Sequence, residues 1–170
     1  AASTPMAVRM LGQDFVLFRD TEGVARCLSN VCAHRGAALS DGKVQGDCVE
    51  CPYHGWQFNG EGTCTRIPAV GDDDPQTDAP GVKIDSYPTV EKHGLIWTFL
   101  GDEPDQAKPI LDIPELDDPE YTVVSDDVIF ESNFHLAKFS NLDYVHLPIV
   151  HGIRFEDQEN PYQPPPHTVE

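Results

Sequence analysis

Three features of the sequence predict a mostly β fold: a small antiparallel domain followed by the beginning of an α+β domain. Short apolar runs alternate with turn-forming residues through the first hundred positions. A stretch rich in proline and acid comes next. Beyond it the texture changes to one strand-like and one helix-like run. At 170 residues the chain can bury a core and make one or two domains.

The elements follow in order. "DFVLFR" (14–19) and "VARCLS" (24–29) flank "DTEG" and predict a hairpin. "GWQFN" (55–59) and "TCTRI" (63–67) flank "GEG" and predict a second. "VKIDSYPTV" (82–90) and "LIWTFLG" (95–101) bracket "EKHG" and predict a third. "GDDDPQTDAPG" (71–81) reads as a solvated acidic loop without the regular ligand spacing of a calcium site. Residues 101–120 carry four prolines and eight acidic side chains, the composition of a linker. "YTVVSDDVIFE" (121–131) then predicts a strand, and "SNFHLAKFSNLDYVH" (132–146) a helix capped by Ser132 or Asn133. The tail 155–170 is proline-rich and reads as extended. The expected division is residues 1–105, a linker at 106–120, and the opening part of a second domain at 121–170.

Composition narrows the function. A formal net charge of -18 argues against nucleic acid, whose phosphates call for clustered Lys and Arg. No apolar run reaches the length of a membrane span, and "AASTPMAVRM" lacks the pattern of a secretory signal, so the expected location is the cytoplasm. The five cysteines are an odd number and do not suggest a disulfide framework. Cys27 and Cys48 read as small side chains on strands.

Cys32, His34, Cys51 and His54 stand in "CAHRG" and "CPYHGW", a C-x-H and a C-x-x-H pair. Two thiolates and two imidazoles suit one tetrahedral Zn²⁺, although zinc-finger pairs usually keep like ligands together. A two-iron cluster gives a reason for mixing, each loop lending a thiolate to one iron and an imidazole to the other.

"CAHRGAALS" and "CPYHGWQF" resemble the two cluster loops of Rieske [2Fe–2S] proteins. The resemblance implies that Cys32 and Cys51 hold the inner iron and His34 and His54 the outer one. It also implies tight turns at Gly36 and Gly55 and a cover at Trp56. Rieske subunits of quinol-oxidising complexes usually carry an extra Cys in each loop. Here those places hold Ala37 and Tyr53, which points to the low end of the Rieske range, about -150 mV. The expected electron donor is therefore a soluble protein.

Downstream, "FSNLDYVHLPIVHG" (139–152) sets Asp143, His146 and His151 as D-x-x-H-x-x-x-x-H. On a continuous helix Asp143 and His146 lie about 60° apart, whereas His146 and His151 lie about 140° apart. Pro148 supplies the break that lets both imidazoles meet. Two His then lack one carboxylate of a non-haem Fe(II) facial triad.

A Rieske domain, a linker and this motif together resemble the oxygenase (alpha) component of Rieske non-haem iron oxygenases, the ring-hydroxylating and demethylating family. By this resemblance the chain is expected to be truncated at both ends. The resemblance implies a mononuclear Fe(II) on His146 and His151. It makes Asp143 the carboxylate that passes electrons between this iron and a neighbouring subunit's cluster at His54. It further implies a homotrimer, or a trimer with accessory subunits, and a separate NAD(P)H-dependent reductase or ferredoxin as electron donor. O₂ and a small organic substrate, aromatic or otherwise, complete the expected reaction: hydroxylation or oxidative demethylation. The third iron ligand is expected outside this chain; Glu156, Asp157 and Glu159 are not assigned to it. Relatives carry an Asn three or four residues before the Asp, where this chain has Ser140 and Phe139. The alternative is a Rieske-type ferredoxin that only carries electrons.

Overall fold

The computed structural model describes residues 4–74, 77–126, 128–154 and 160. Two compact units divide the chain, Ala1–Tyr121 and Thr122–Glu170. Among the described residues no helix is long and apolar enough to cross a membrane.

The first unit is built from antiparallel ladders. β1 (Met6–Met10) pairs with β2 (Gln13–Arg19), β2 with β3 (Ala25–Ser29), and β3 with the short β9 (Ser86–Tyr87). A second sheet runs in chain order through β4 (Lys43–Gln45), β5 (Cys48–Glu50), β6 (Gln57–Asn59), β7 (Thr63–Arg66) and β8 (Ala79–Lys83). β10 (Thr89–Lys92) and β11 (Leu95–Thr98) form a separate hairpin.

All three expected hairpins are present, with one subdivision: the run 82–90 is shared among β8, β9 and the start of β10. The β10–β11 turn is His93–Gly94, both at positive φ (56° and 74°), as a two-residue hairpin with right-twisted strands requires. The β1–β2 hairpin, not foreseen from the sequence, uses Leu11–Gly12 in the same way.

Alternation along the strands places the core. Val16 and Phe18 on β2, Leu28 on β3, Val49 on β5, Phe58 on β6 and Cys64 on β7 turn inward together. Burying each large apolar side chain contributes about 1.5–3 kcal/mol. Cys32 and Cys51 belong to this same cluster, so both cysteines of the candidate site are rooted in the core. Asn30, buried at the end of β3, ties down the segment that follows. Its side chain accepts from the Ser40 N–H at 2.8 Å and donates to the Ser40 hydroxyl at 2.9 Å.

The acid- and proline-rich stretch after Gly101 falls in the first unit. It contains two 3-10 turns, Pro104–Gln106 and Pro114–Leu116. It is held to the β10–β11 turn by Lys92 Nζ on Asp112 at 3.0 Å and by His93 Nε2 on the Leu111 carbonyl at 3.2 Å.

In the second unit the expected strand at 121–131 does not form among the described residues, because no partner strand offers it a ladder. The helix is α1 (Phe134–Leu142), with the Asn133 side chain accepting from the His135 N–H at 2.9 Å. A short helix, α2 (Leu147–Val150), follows. Of the 155–170 tail only Asn160 is described, and Glu156, Asp157 and Glu159 lie outside the described residues.

Candidate metal centre

Two loops of one backbone design carry the candidate ligands. In the first, the Cys32 N–H donates to the Ala37 carbonyl at 3.0 Å, and the Gly36 N–H donates to the Cys32 carbonyl at 2.9 Å. In the second, the Cys51 N–H donates to the Trp56 carbonyl at 2.8 Å, and the Gly55 N–H donates to the Cys51 carbonyl at 3.1 Å. Gly36 and Gly55 sit at φ 72° and 73°, a left-handed position that glycine occupies without steric cost. Each loop projects from a β frame. The first is closed by a Val31–Ala38 bridge, and the second is the tip of the β5–β6 hairpin. Gln57 and Glu50, joined side chain to side chain at 2.8 Å, brace the second loop at its base.

On this shared frame the histidines are offset by one position. His34 follows Cys32 by two residues, and His54 follows Cys51 by three. Tyr53 therefore holds the place in its loop that His34 holds in the other. The imidazoles nevertheless meet, with ring centroids 4.6 Å apart. Trp56 lies parallel on His34, at 4.6 Å and 8°, and Tyr53 lies on His54 at 3.9 Å.

The donors arrive as a buried thiol pair and a pair of imidazoles. Cys32 and Cys51 are 2% and 3% exposed, and all five cysteines are free thiols. Burial pushes the Cys32 thiol up to about 11; the neighbouring Cys51 adds to the rise, and the His34 and Arg35 N–H groups oppose it. Burial, and after it the nearby His54, pulls the His34 pKa down, which favours the neutral imidazole. His34 Nδ1 is buried without a hydrogen-bond partner, an unsatisfied state that a metal bond would relieve. Among the described residues no three Cys, His, Asp or Glu side chains close around one point as a single-ion site requires. A thiol pair beside an imidazole pair matches the mixed ligand set of a two-iron cluster.

The second constellation is organised by a turn. α1 ends at Leu142 and Asp143 is its C-cap, so Asp143 and His146 do not share a helix face. The Asp143 side chain accepts from the Val145 N–H at 3.0 Å, a local bond that competes with helical pairing and ends the helix. Its other oxygen lies 3.5 Å from His146 Nδ1. Pro148 stands in the first turn of α2, where its missing N–H costs nothing; the expected break thus precedes it. His146 and His151 flank this short helix with ring centroids 5.3 Å apart. The Asn141 side chain folds back onto the Ala137 carbonyl at 3.0 Å.

A small antiparallel β module offering two thiols and two imidazoles from twin loops is the framework of an iron–sulfur domain. Residues 1–88 match the model of the Rieske [2Fe-2S] domain, and the chain belongs to that family. It is similar to the iron-sulfur subunit of the toluene-4-sulfonate monooxygenase system of Comamonas testosteroni, 39% identical over 84% of this chain and 40% of that protein. It is also similar to the oxygenase component of chloroacetanilide N-alkylformylase of Rhizorhabdus wittichii, 36% identical over 84% of this chain and 40% of that one. Among solved structures, dicamba monooxygenase bound to dicamba aligns with 89% of this chain and 45% of its own, at 32% identity and a TM-score of 0.77. The chain spans about two fifths of the length of these curated relatives.

Proposed function

We propose that the chain serves in the oxygenase component of a Rieske non-haem iron oxygenase. Cys32, Cys51, His34 and His54 hold a [2Fe–2S] cluster, and His146 and His151 hold a mononuclear Fe(II). When bound, the cluster supplies one-electron transfer and the iron supplies O₂ activation for hydroxylation or oxidative demethylation. The observation that carries the reading is the buried, unpartnered His34 Nδ1 beside a second imidazole and a pair of buried thiols.

The chain's own residues prepare these sites. Both thiols would shed their protons on metal binding, and burial favours the neutral form of His34 that coordinates. Asp143, 3.5 Å from His146 Nδ1, favours the tautomer with its proton on Nδ1 and leaves Nε2 available. The same carboxylate serves as the link to His54 of a neighbouring subunit in a trimer, with or without accessory subunits. A reductase or ferredoxin delivers electrons from NAD(P)H in the cytoplasm, and the substrate is a small organic molecule. The names of the relatives, a monooxygenase subunit and an N-alkylformylase component, favour the monooxygenase and demethylase branch.

Iron and acid-labile sulfide analysis tests the proposal. Three irons and two sulfides per chain are expected. Two of each would leave a Rieske-type electron carrier or an oxygenase that has lost its labile iron. Zinc without sulfide would end both readings.

A further inference from the structure

The four rings at the candidate cluster touch in succession in the order Trp56, His34, His54, Tyr53, stacked at the first contact (8°) and tilted at the next two (58° and 34°). Three of them come from the second loop. Trp56 reaches across to the first loop and lies flat on His34, which is partly buried. Tyr53 closes the other end on His54, which is exposed. Tyr53 is itself 64% exposed. Burial does not account for where this ring lies. Its contact with His54 does.

We propose that Tyr53 is a positioning residue for His54: its ring face stops the exposed imidazole from swinging about its side-chain bonds. This inference rests on the reading of His54 as a cluster ligand. The neighbouring imidazole of His34 bounds His54 on one side, and Tyr53 bounds it on the other. The restraint requires an aromatic face and not a hydroxyl. Trp56 plays the corresponding part for His34, so each imidazole keeps one aromatic wall of its own.

The test compares Tyr53→Phe and Tyr53→Ser with the wild-type full chain after reconstitution with iron and sulfide. The readouts are the histidine nitrogen couplings of the reduced cluster by pulsed electron-spin resonance and the rate of bleaching in air. Thermal melting of the metal-free variants controls for folding, which an exposed residue leaves intact. The expected result is a broadened set of nitrogen couplings and bleaching about three- to tenfold faster in Tyr53→Ser, the scale of one lost aromatic contact. Tyr53→Phe should match wild type in both. A folded Tyr53→Ser chain that takes up no cluster, while Tyr53→Phe does, also supports the proposal. Tyr53→Ser indistinguishable from wild type overturns it, as does a Tyr53→Phe variant as impaired as the serine variant, which would transfer the role to the hydroxyl. A wild-type chain that assembles no cluster overturns both this inference and the function beneath it.

Discussion

Gly36 and Gly55 close the same turn in two different loops, each donating its N–H to the carbonyl of the cysteine four residues earlier. Their surroundings differ. A Cβ added at Gly36 would meet nothing within 4 Å, whereas one at Gly55 would come within 3.0 Å of Pro68 Cγ. The backbone problem is therefore shared and the steric problem is not.

Gly36→Ala should destabilise the metal-free chain by about 1–2 kcal/mol, the cost of placing an L side chain in the left-handed region. Gly55→Ala should cost more, since the Pro68 ring must also yield. Urea denaturation of both variants checks the ranking, and equal or reversed losses would contradict the twin-loop geometry.

His54→Ala and Cys51→Ser should separate fold from cofactor. His54 is exposed, so its loss should leave the far-ultraviolet circular dichroism unchanged while removing the visible spectrum of the reconstituted chain. Cys51 is buried, and its substitution should remove the spectrum and also lower the melting temperature. Retention of the wild-type spectrum in either variant would remove that residue from the ligand set.

The metal-free chain should lose stability in alkali. The Cys32 thiol, ordinarily at 9.0, is pushed up to about 11, chiefly by burial. Below about pH 9 both folded and unfolded chains keep the proton, and the contribution is complete. Between about pH 9 and 11 the unfolded chain ionises first, so folding weakens as pH rises. Cys32→Ser should shallow this decline without abolishing it, since burial also raises Cys27, Cys48 and Cys64. Urea midpoints across this range, taken without oxygen, measure the effect.

Asp143→Asn should keep iron and sulfide content at wild-type levels. Product formation should slow by about 10- to 100-fold, the usual scale for a residue that acts through a metal ligand. Single-turnover oxidation of the pre-reduced protein reads the step directly, and an unchanged rate would remove Asp143 from the electron path.

Asp20→Ala should destabilise the first unit by about 2 kcal/mol, because it strands donors that are otherwise satisfied. The Asp20 carboxylate accepts from the Val24 N–H at 2.9 Å, the Glu22 N–H at 3.1 Å and Arg26 Nε at 2.9 Å. Burial alone would raise its pKa, but the backbone bonds and Arg26 outweigh burial and hold it below the usual range. The stabilisation is present above the unfolded carboxyl value of 3.8 and fades as pH falls through the lower folded one. Thermal melts of wild type and variant should therefore converge on acidification.

The legible parts of the molecule were those where side-chain chemistry and chain geometry act over a few residues. Cys32 and His34, or Cys51 and His54, sit within one tight loop, so spacing marks them as candidates, while their roles rest on the resemblance to Rieske loops. Hairpins such as β2–β3 carried both alternation and a turn signal. β4 and β5 were less visible: each is three residues long, and their only punctuation is Gly46–Asp47. The 121–131 run had strand composition, but a strand exists only with a partner. Helical periodicity also ran on past Leu142, because it takes no account of an Asp143 carboxylate that captures the Val145 N–H. Trp56 is legible as a cover for the cluster, whereas the contact of Tyr53 with His54 is visible only in the ring geometry.

The anchorage of Asp112 and Leu111 on Lys92 and His93 alters the mechanics of the connecting stretch. Its composition suggests slack rope, yet its first dozen residues are moored to the hairpin they have just left. A pull from downstream would load that salt bridge and imidazole bond before it reached the sheets. The mooring reaches past Asp112, since the Asp117 carboxylate lies 3.8 Å from His93 Nδ1, and loosening Lys92 would free part of the stretch without adding a residue.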